Sequence, residues 1–459
     1  MRIHQTRKTI RAIIPAALAL LCRPLGMWAQ DSTQLERILQ RLEHLEQQNR
    51  ALIEEVRALR GEVTALREAQ PEPTAAAAPA MAMERLAVAE NRIEEQAQTK
   101  VEASQRFPIR LTGMALVNAY YNSPHAGGRA NPTVAAREPG PRVAGATLRQ
   151  TVLGLEYRGP EAPWGGRVSG SLFMDFYGGT ADTQNHLLRI RTASINVDWK
   201  KTSVMVGQEK PIVSPREPNS LAQVWVSPLT NAGNLWLWEP QVRLERRFQL
   251  GENTLFRAQG GVYQSHETAN IVPPNYENEY ERVRPAYQGR FEFSHRFAGG
   301  SRLEIAPALH ASASHVEGSS VPSRLVAFDW LYAPWRKLEF TGMLFKGKNL
   351  AGLGALRQGF TIVAPEKVIP VHGAGGWAQL SWLATSRLTF NLFGGQHDDR
   401  NSDLMPGGIG KNQAYGANLM YRITPNVIIS FENLRIWTTY LGSGTARNNH
   451  YDLAVAYLF

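Results

Sequence analysis

The stretch "NNHYDLAVAYLF" (residues 448–459) decides the reading of the fold. Tyr451, Leu453, Val455, Tyr457 and Phe459 alternate with His450, Asp452, Ala454, Ala456 and Leu458. A period of two is that of a β-strand, whose successive side chains point to opposite faces. One face is aromatic and apolar throughout, and the other carries His450 and Asp452. A strand of this kind needs a neighbour, because an open edge leaves backbone N–H and C=O groups without partners. The first period-two segment, 107–121, is the expected partner, which makes the last strand a seam that Tyr457 and Phe459 help to close.

Working back from that strand, residues 107–459 repeat the pattern. Tyr287, Gly289, Phe291 and Phe293 share a face opposite Gln288, Arg290, Glu292 and Ser294. Tyr415, Ala417, Leu419 and Tyr421 oppose Gly416, Asn418 and Arg422. An apolar face with aromatics towards its ends, backed by a charged face, inverts the soluble arrangement. It predicts an all-β transmembrane barrel, with lipid outside, water inside and His450 and Asp452 on the wet side. Sixteen antiparallel strands are expected. At about 9–11 residues per tilted crossing, the span also accommodates eighteen.

The connections alternate between short and long. "WKKTS", "QLGENT", "AGGS", "APWR", "ATSR" and "TPN" read as turns at one rim. The segments 122–146, 211–240, 265–284, 313–322, 347–370, 395–410 and 441–448 read as long loops at the other, with 179–185 a short member of that class. An up-and-down sheet sorts its connections this way, whereas a sandwich crosses between sheets.

The part before the barrel differs in composition. Of 41 aromatic residues only Trp28 precedes Phe107, and residues 30–106 hold 10 Lys/Arg against 14 Asp/Glu where 107–459 hold 35 against 26. Residues 1–29 read as a signal peptide, with Arg2, Arg7, Lys8 and Arg11 before the apolar run 12–22. The only cysteine, Cys22, lies inside it, so the mature chain carries none. Residues 30–70 form a coiled coil: Leu35, Ile38, Leu42, Leu45, Asn49, Leu52, Val56, Leu59, Val63 and Leu66 alternate in steps of three and four. Asn49 sits at an a position, where a buried amide fixes register, and the pairs Arg41–Glu46, Glu55–Arg60 and Glu62–Arg67 suit parallel chains. Leu39 and Ile53 widen the seam, which favours a trimer over a dimer. Residues 71–106 combine the Ala/Pro-rich linker "PEPTAAAAPA" with a short helix.

Chemistry-bearing motifs are thin. The chain has no Walker loop, G-x-S-x-G or H-E-x-x-H motif, so no enzyme and no cofactor are expected. The basic balance lacks the Lys/Arg runs of a nucleic-acid binder. "HDDRNSD" (397–403) offers Asp398, Asp399 and Asp403 to a hard cation, but such a loop more often does turn chemistry. The sharper signal is arginine on the inward face: Arg110, Arg189, Arg191, Arg243, Arg290 and Arg302 each alternate with apolar neighbours. Rings of charged side chains set channel selectivity, so these positions predict a preference for small anionic solutes. The competing reading pairs them with Glu156, Glu245, Glu292 and Glu304 as ordinary wall chemistry. Strand 187–199 holds a frame conflict, since Leu188 and Ile190 have one parity and Ala193, Ile195, Val197 and Trp199 the other. Either a bulge lies near Thr192 or Arg189 and Arg191 do not face inward. Segment 211–240, rich in Trp and Pro, is expected to fold into the barrel and narrow it, with Lys210, Arg216, Trp225 and Trp236 at the constriction. Packing at a subunit interface is the alternative for it.

The whole arrangement resembles trimeric, sixteen-stranded outer-membrane porins with an N-terminal periplasmic coiled coil, of the DcaP-like, phosphate-selective and sucrose-porin kind. "INVDWKKTSVMVGQEKPIVSP" (195–215) resembles the strand–turn–strand stretch preceding the constriction loop in that group. The resemblance implies passive diffusion of small solutes, contact with outer-membrane lipid, a homotrimer with its coiled coil in the periplasm, and assembly by the outer-membrane insertion machinery. A terminal Phe459 is similar to that machinery's recognition signal. The paired glutamates argue against phosphate specificity and for carboxylate-type anions. The alternative is an exported β-rich binding protein or adhesin on a coiled-coil stalk.

Overall fold

The computed structural model describes residues 54, 58 and 108–459, apart from 180–185, 265–284, 317–318, 357 and 365–366. The chain divides into two compact units, Met1–Thr99 and Lys100–Phe459. In the first, Glu54 and Ala58 are helical. The signal segment, Asn49, the rest of the heptad repeat and the linker lie outside the described residues.

The second unit is a closed antiparallel barrel with sixteen strand positions. They are β1 (Ile109–Asn122), β2 (Val143–Thr147 and Val152–Ala162), β3 (Gly166–Gly178), β4 (Leu187–Asp198), β5 (Thr202–Glu209), β6 (Glu239–Gly251), β7 (Thr254–Gln264) and β8 (Pro285–Arg296). The second half comprises β9 (Arg302–Val316), β10 (Ser319–Trp335), β11 (Leu338–Lys348), β12 (His372–Leu383), β13 (Leu388–Asp399), β14 (Ile409–Thr424), β15 (Val427–Tyr440) and β16 (Gly444–Leu458). Each strand pairs with its neighbours in sequence, and β16 pairs with β1, with Val455 opposite Val117 and Tyr451 opposite Tyr121. Closure within one chain satisfies every ladder edge and differs from an adhesin barrel assembled from several chains. The seam runs to the last residue: Gly113 and Phe459 exchange N–H···O bonds of 3.0 and 3.2 Å.

The faces follow the alternation. Leu111, Ile195, Val326, Leu344, Leu392 and Tyr457 all point outward and are exposed. No described helix is long and apolar enough to cross a membrane. The inward face is less wet than the pattern suggests. His450 and Asp452, expected in water, are 0% and 2% exposed: His450 bonds to Asn122, which also holds the carbonyls of Arg129 and Ala130, and Asp452 to Asn118, which also holds that of Leu221.

Two segments read as long loops, 313–322 and 441–448, are largely strand, since β9, β10 and β16 extend through them. Near the rim neither face is apolar, so alternation fades there although pairing continues. The frame conflict in β4 is a bulge at Arg191: Ile190 opposes Met174 and Thr192 opposes Phe173, which leaves Arg191 unpaired. Leu188, Ile190 and Ile195 therefore all point outward, while Arg189 and Arg191 both reach the interior. Strand β2 is broken at 148–151, where Gln150 turns into the lumen.

Candidate functional site

The interior is organised by residues 210–238, the connection between β5 and β6. Pro211, Pro215, Pro218 and Pro228 lack the N–H that would continue a ladder. Gln241 Nε2 fixes the exit by donating to the carbonyls of Glu209 (2.9 Å) and Lys210 (3.0 Å). From there the loop crosses the lumen and bonds to wall on many sides. Val213 N–H donates to Gln288 Oε1 (3.2 Å) and Asn219 N–H to Gln379 Oε1 (2.7 Å). Ser220 Oγ donates to Glu432 Oε2 (2.6 Å), and Asn118 Nδ2 to the Leu221 carbonyl (2.8 Å). Gln150 Nε2 donates to the Ala222 carbonyl (2.8 Å), and Asn412 Nδ2 to that of Asn231 (2.9 Å). At Gly233 the backbone, at φ 97°, lies against the carbonyls of Gly376 and Gln396, where any Cβ would collide. The segment is thus a lumen-filling loop held by side chains of the wall.

Three groups of charges line what remains. On the β8–β10 side, Arg216 is held by Asp329 (2.9 Å) and Glu304 (2.5 Å), and Arg290 by Asp329 (2.8 Å) and Glu292 (2.7 Å). Arg257 completes the network at 2.6 Å from Glu292. Arg290 faces inward but is 1% exposed, so it is a buried member of this network and not an open lining residue. Burial alone would depress Arg216; its bonds to Glu304 and Asp329 outweigh burial and hold it above its ordinary value.

The β3–β4 side differs. Asp175, fully buried, accepts from Arg189 Nε (3.1 Å) and Nη2 (2.6 Å), with Arg191 Nη1 at 4.0 Å. The Arg189 and Arg191 guanidinium carbons lie 5.1 and 4.9 Å from the Trp238 ring centroid. Tyr177 stacks on Trp225 at 4.6 Å with 16° between planes, and Arg149 lies over Tyr177 at 4.5 Å. Cations over aromatic faces are attracted by the ring quadrupole. One carboxylate here answers two arginines.

Below the loop lies a chamber of about 410 Å³ lined by Lys210, Arg243, Arg247, Glu209, Glu245 and the hydroxyls of Ser171, Ser194 and Ser203. Lys210 Nζ is 2.5 Å from Glu217, which also accepts from Ser227 (2.7 Å). Burial pushes Glu217 up, but Lys210, Ser227 and Arg191 more than offset this and keep it below the usual carboxylate range. Arg247 is 3.5 Å from Glu245. Arg243 donates from Nη2 to the Lys210 carbonyl (2.7 Å) and Gln241 Oε1 (3.0 Å), with no carboxylate within ion-pair distance among the described residues.

The remaining expected positions are placed as follows. Arg110 lies at the short-turn rim, 4.0 Å from Glu156, and Arg302 pairs with Glu304 (3.4 Å) and Glu339 (3.8 Å). Trp236 packs edge-on against Trp238 at 5.2 Å. Asp398, Asp399 and Asp403 do not converge: they pair with Lys411, His397 and His372. No metal-binding group occurs among the described residues. Arg257, Asp175, Tyr177, Trp238 and Gln150 belong to the site without having been singled out from sequence. Arg257, between Phe256 and Ala258, carried the same alternation signal as the others.

No family model matches the chain, and no curated protein matches it. Among solved structures, the barrel is similar to the outer membrane channel DcaP of Acinetobacter baumannii, with a TM-score of 0.62 at 16% identity over 76% of this chain and 97% of that one. An anion-selective porin from Comamonas acidovorans gives a TM-score of 0.50 at 10% identity over 76% of this chain and 99% of that one. At these identities the likeness establishes the fold, a porin-type barrel.

Proposed function

We propose that this chain is an outer-membrane porin that admits small anionic solutes by passive diffusion. The observation that carries the reading is the excess of arginine on the β3–β4 side of the lumen, where two guanidinium groups meet one buried carboxylate. Arg189 and Arg191 share Asp175, and Arg243 faces a chamber that also holds Glu209 and Glu245 but has no carboxylate within ion-pair distance among the described residues. The β8–β10 network, by contrast, is neutral, with three arginines against Glu292, Glu304 and Asp329. The pore's preference therefore rests on Arg189, Arg191 and Arg243, while Glu217 answers Lys210 and Arg216 anchors the loop to a wall network that Arg290 shares. Unbalanced positive charge in a narrow, low-dielectric passage raises the local concentration of anions.

No bond is made or broken on the solute. The loop 210–238 sets the size of what passes and the arginines set its sign. Trp225 and Trp236 stiffen the constriction. Heptads at 30–70 support a parallel homotrimer with its rod in the periplasm, delivered by the signal peptide and inserted by the outer-membrane assembly machinery. Two measurements test this. Purified protein is expected to migrate faster unheated than boiled on SDS gels, and proteoliposomes to swell in small organic anions. Identical mobility and no swelling would reject the porin reading.

A further inference from the structure

The outward wall of β8–β11 carries charge where apolar contact is expected. Arg324 on β10 and Lys346 and Lys348 on β11 share the outward parity of Val326, Phe328 and Leu344. The register sets Arg324 directly opposite Lys348, and Val326 opposite Lys346. Facing residues have Cβ atoms about 4.5–5.5 Å apart, and like charges so placed repel. Among the described residues, none of the three lies within ion-pair distance of a carboxylate. Arg324 Nη1 donates to the carbonyls of Ser312 (2.6 Å) and Ser323 (2.8 Å), which fixes the guanidinium and leaves Nε and Nη2 without a partner among the described residues.

Beside these cations lies a groove of about 710 Å³. Tyr287, Phe291, Leu309 and Val326 form its walls, and Gly289 and Ala311 leave it hollow. All of this sits at the long-loop rim, the extracellular side of such barrels. A second outward basic pair, Arg435 and Arg447 with Trp437, stands at the same rim on β15 and β16. Three cations lining the same groove as an apolar hollow match an amphiphile with an anionic head and an acyl chain. Basic pockets at a membrane surface recognise phosphorylated head groups.

We propose that this groove binds a phosphorylated glycolipid of the outer leaflet, its phosphate between Arg324, Lys346 and Lys348 and an acyl chain along Tyr287, Phe291 and Val326. The inference rests on the outer-membrane reading above. The bound phosphate relieves the Arg324–Lys348 repulsion and ties β10 to β11 at the rim.

Native mass spectrometry of the full-length protein in mild detergent tests this with bisphosphorylated lipid A as the probe. The wild type is expected to hold one lipid A per barrel, and R324Q/K346Q/K348Q to lose at least tenfold in occupancy. Dephosphorylated lipid A on the wild type gives a second measurement that needs no variant to fold, and it is expected not to bind. Equal occupancy by the variant, or equal binding of the dephosphorylated lipid, overturns the proposal. So does a variant that changes oligomer size with lipid occupancy intact, which assigns the groove to a second copy. A folded, conducting barrel that binds no lipid A overturns this inference alone, whereas a protein that never behaves as a barrel overturns both readings.

Discussion

Arg216 Nε lies 2.9 Å from Asp329 Oδ1, joining the lumen loop to strand β10 across 113 residues of sequence. The same Asp329 holds Arg290, so one carboxylate fixes both loop and wall. Removing one member of a buried ion pair typically costs about 3–5 kcal/mol, because the partner charge is left unanswered. Asp329→Asn is therefore expected to lower the temperature of heat modification and to add open-channel current noise. Unchanged noise would show that the remaining tethers suffice.

Arg191 lies 4.0 Å from its nearest paired carboxylate, Asp175, and Arg243 has none within ion-pair distance among the described residues. Arg243→Gln and Arg191→Gln are each expected to shift the reversal potential towards zero, additively if the two sites do not interact. Arg290→Gln is expected to destabilise the barrel and leave the potential near its wild-type value. Single-channel recordings of the three variants under one salt gradient make the comparison.

Glu217 gives the constriction a pH dependence. Its carboxyl is held below the ordinary 4.5, so the Lys210–Glu217 pair contributes fully above that value and is lost as pH falls through the lower folded-state value. Lys210 is then unanswered. Anion preference is expected to hold steady from neutral pH to about 4.5 and to rise below it. Glu217→Gln should show the raised preference at neutral pH, and a flat profile in the wild type would count against the assignment.

The seam offers a fourth test. Gly113, at φ 156°, leaves no room for a Cβ, which would sit 2.3 Å from the Val152 carbonyl oxygen and 2.9 Å from the Phe459 ring. Gly113→Ala must displace backbone at closure, whereas Phe459→Ala removes a contact without a clash. Both are expected to slow assembly in liposomes, Gly113→Ala the more severely. The folded fraction on unheated gels reads the effect.

Trimerisation through the rod is separable from the barrel. Deleting residues 31–70 is expected to reduce trimer stability in detergent while each barrel still conducts. Trimers of unchanged stability would place all the association in the walls.

Much of this architecture was legible because its physics is local. A period of two marks strands wherever one face is apolar, and Leu453, Val455 and Tyr457 identify the seam without any structure. The proline- and tryptophan-rich character of 211–240 marked a loop too apolar for bulk water. The glutamate partners were visible too, since Glu156, Glu245, Glu292 and Glu304 share inward parity with the arginines they meet. What escaped depends on register and on the loop's path. That Asp175 serves both Arg189 and Arg191 follows from the bulge at Arg191, which a parity conflict can signal but not position. Gln150 leaves the ladder at a break that no composition marks. The burial of His450 and Asp452 goes with a network through Asn122 and Asn118 to the carbonyls of residues 129, 130 and 221, more than 200 residues away in sequence.

The central claim is that unbalanced arginines give the lumen a preference for anions. It is tested most directly by the zero-current potential of the purified protein in a planar bilayer separating concentrated from dilute potassium chloride at neutral pH. The account predicts a potential of the sign set by chloride, with chloride permeating several times faster than potassium. A potential of the opposite sign would contradict it.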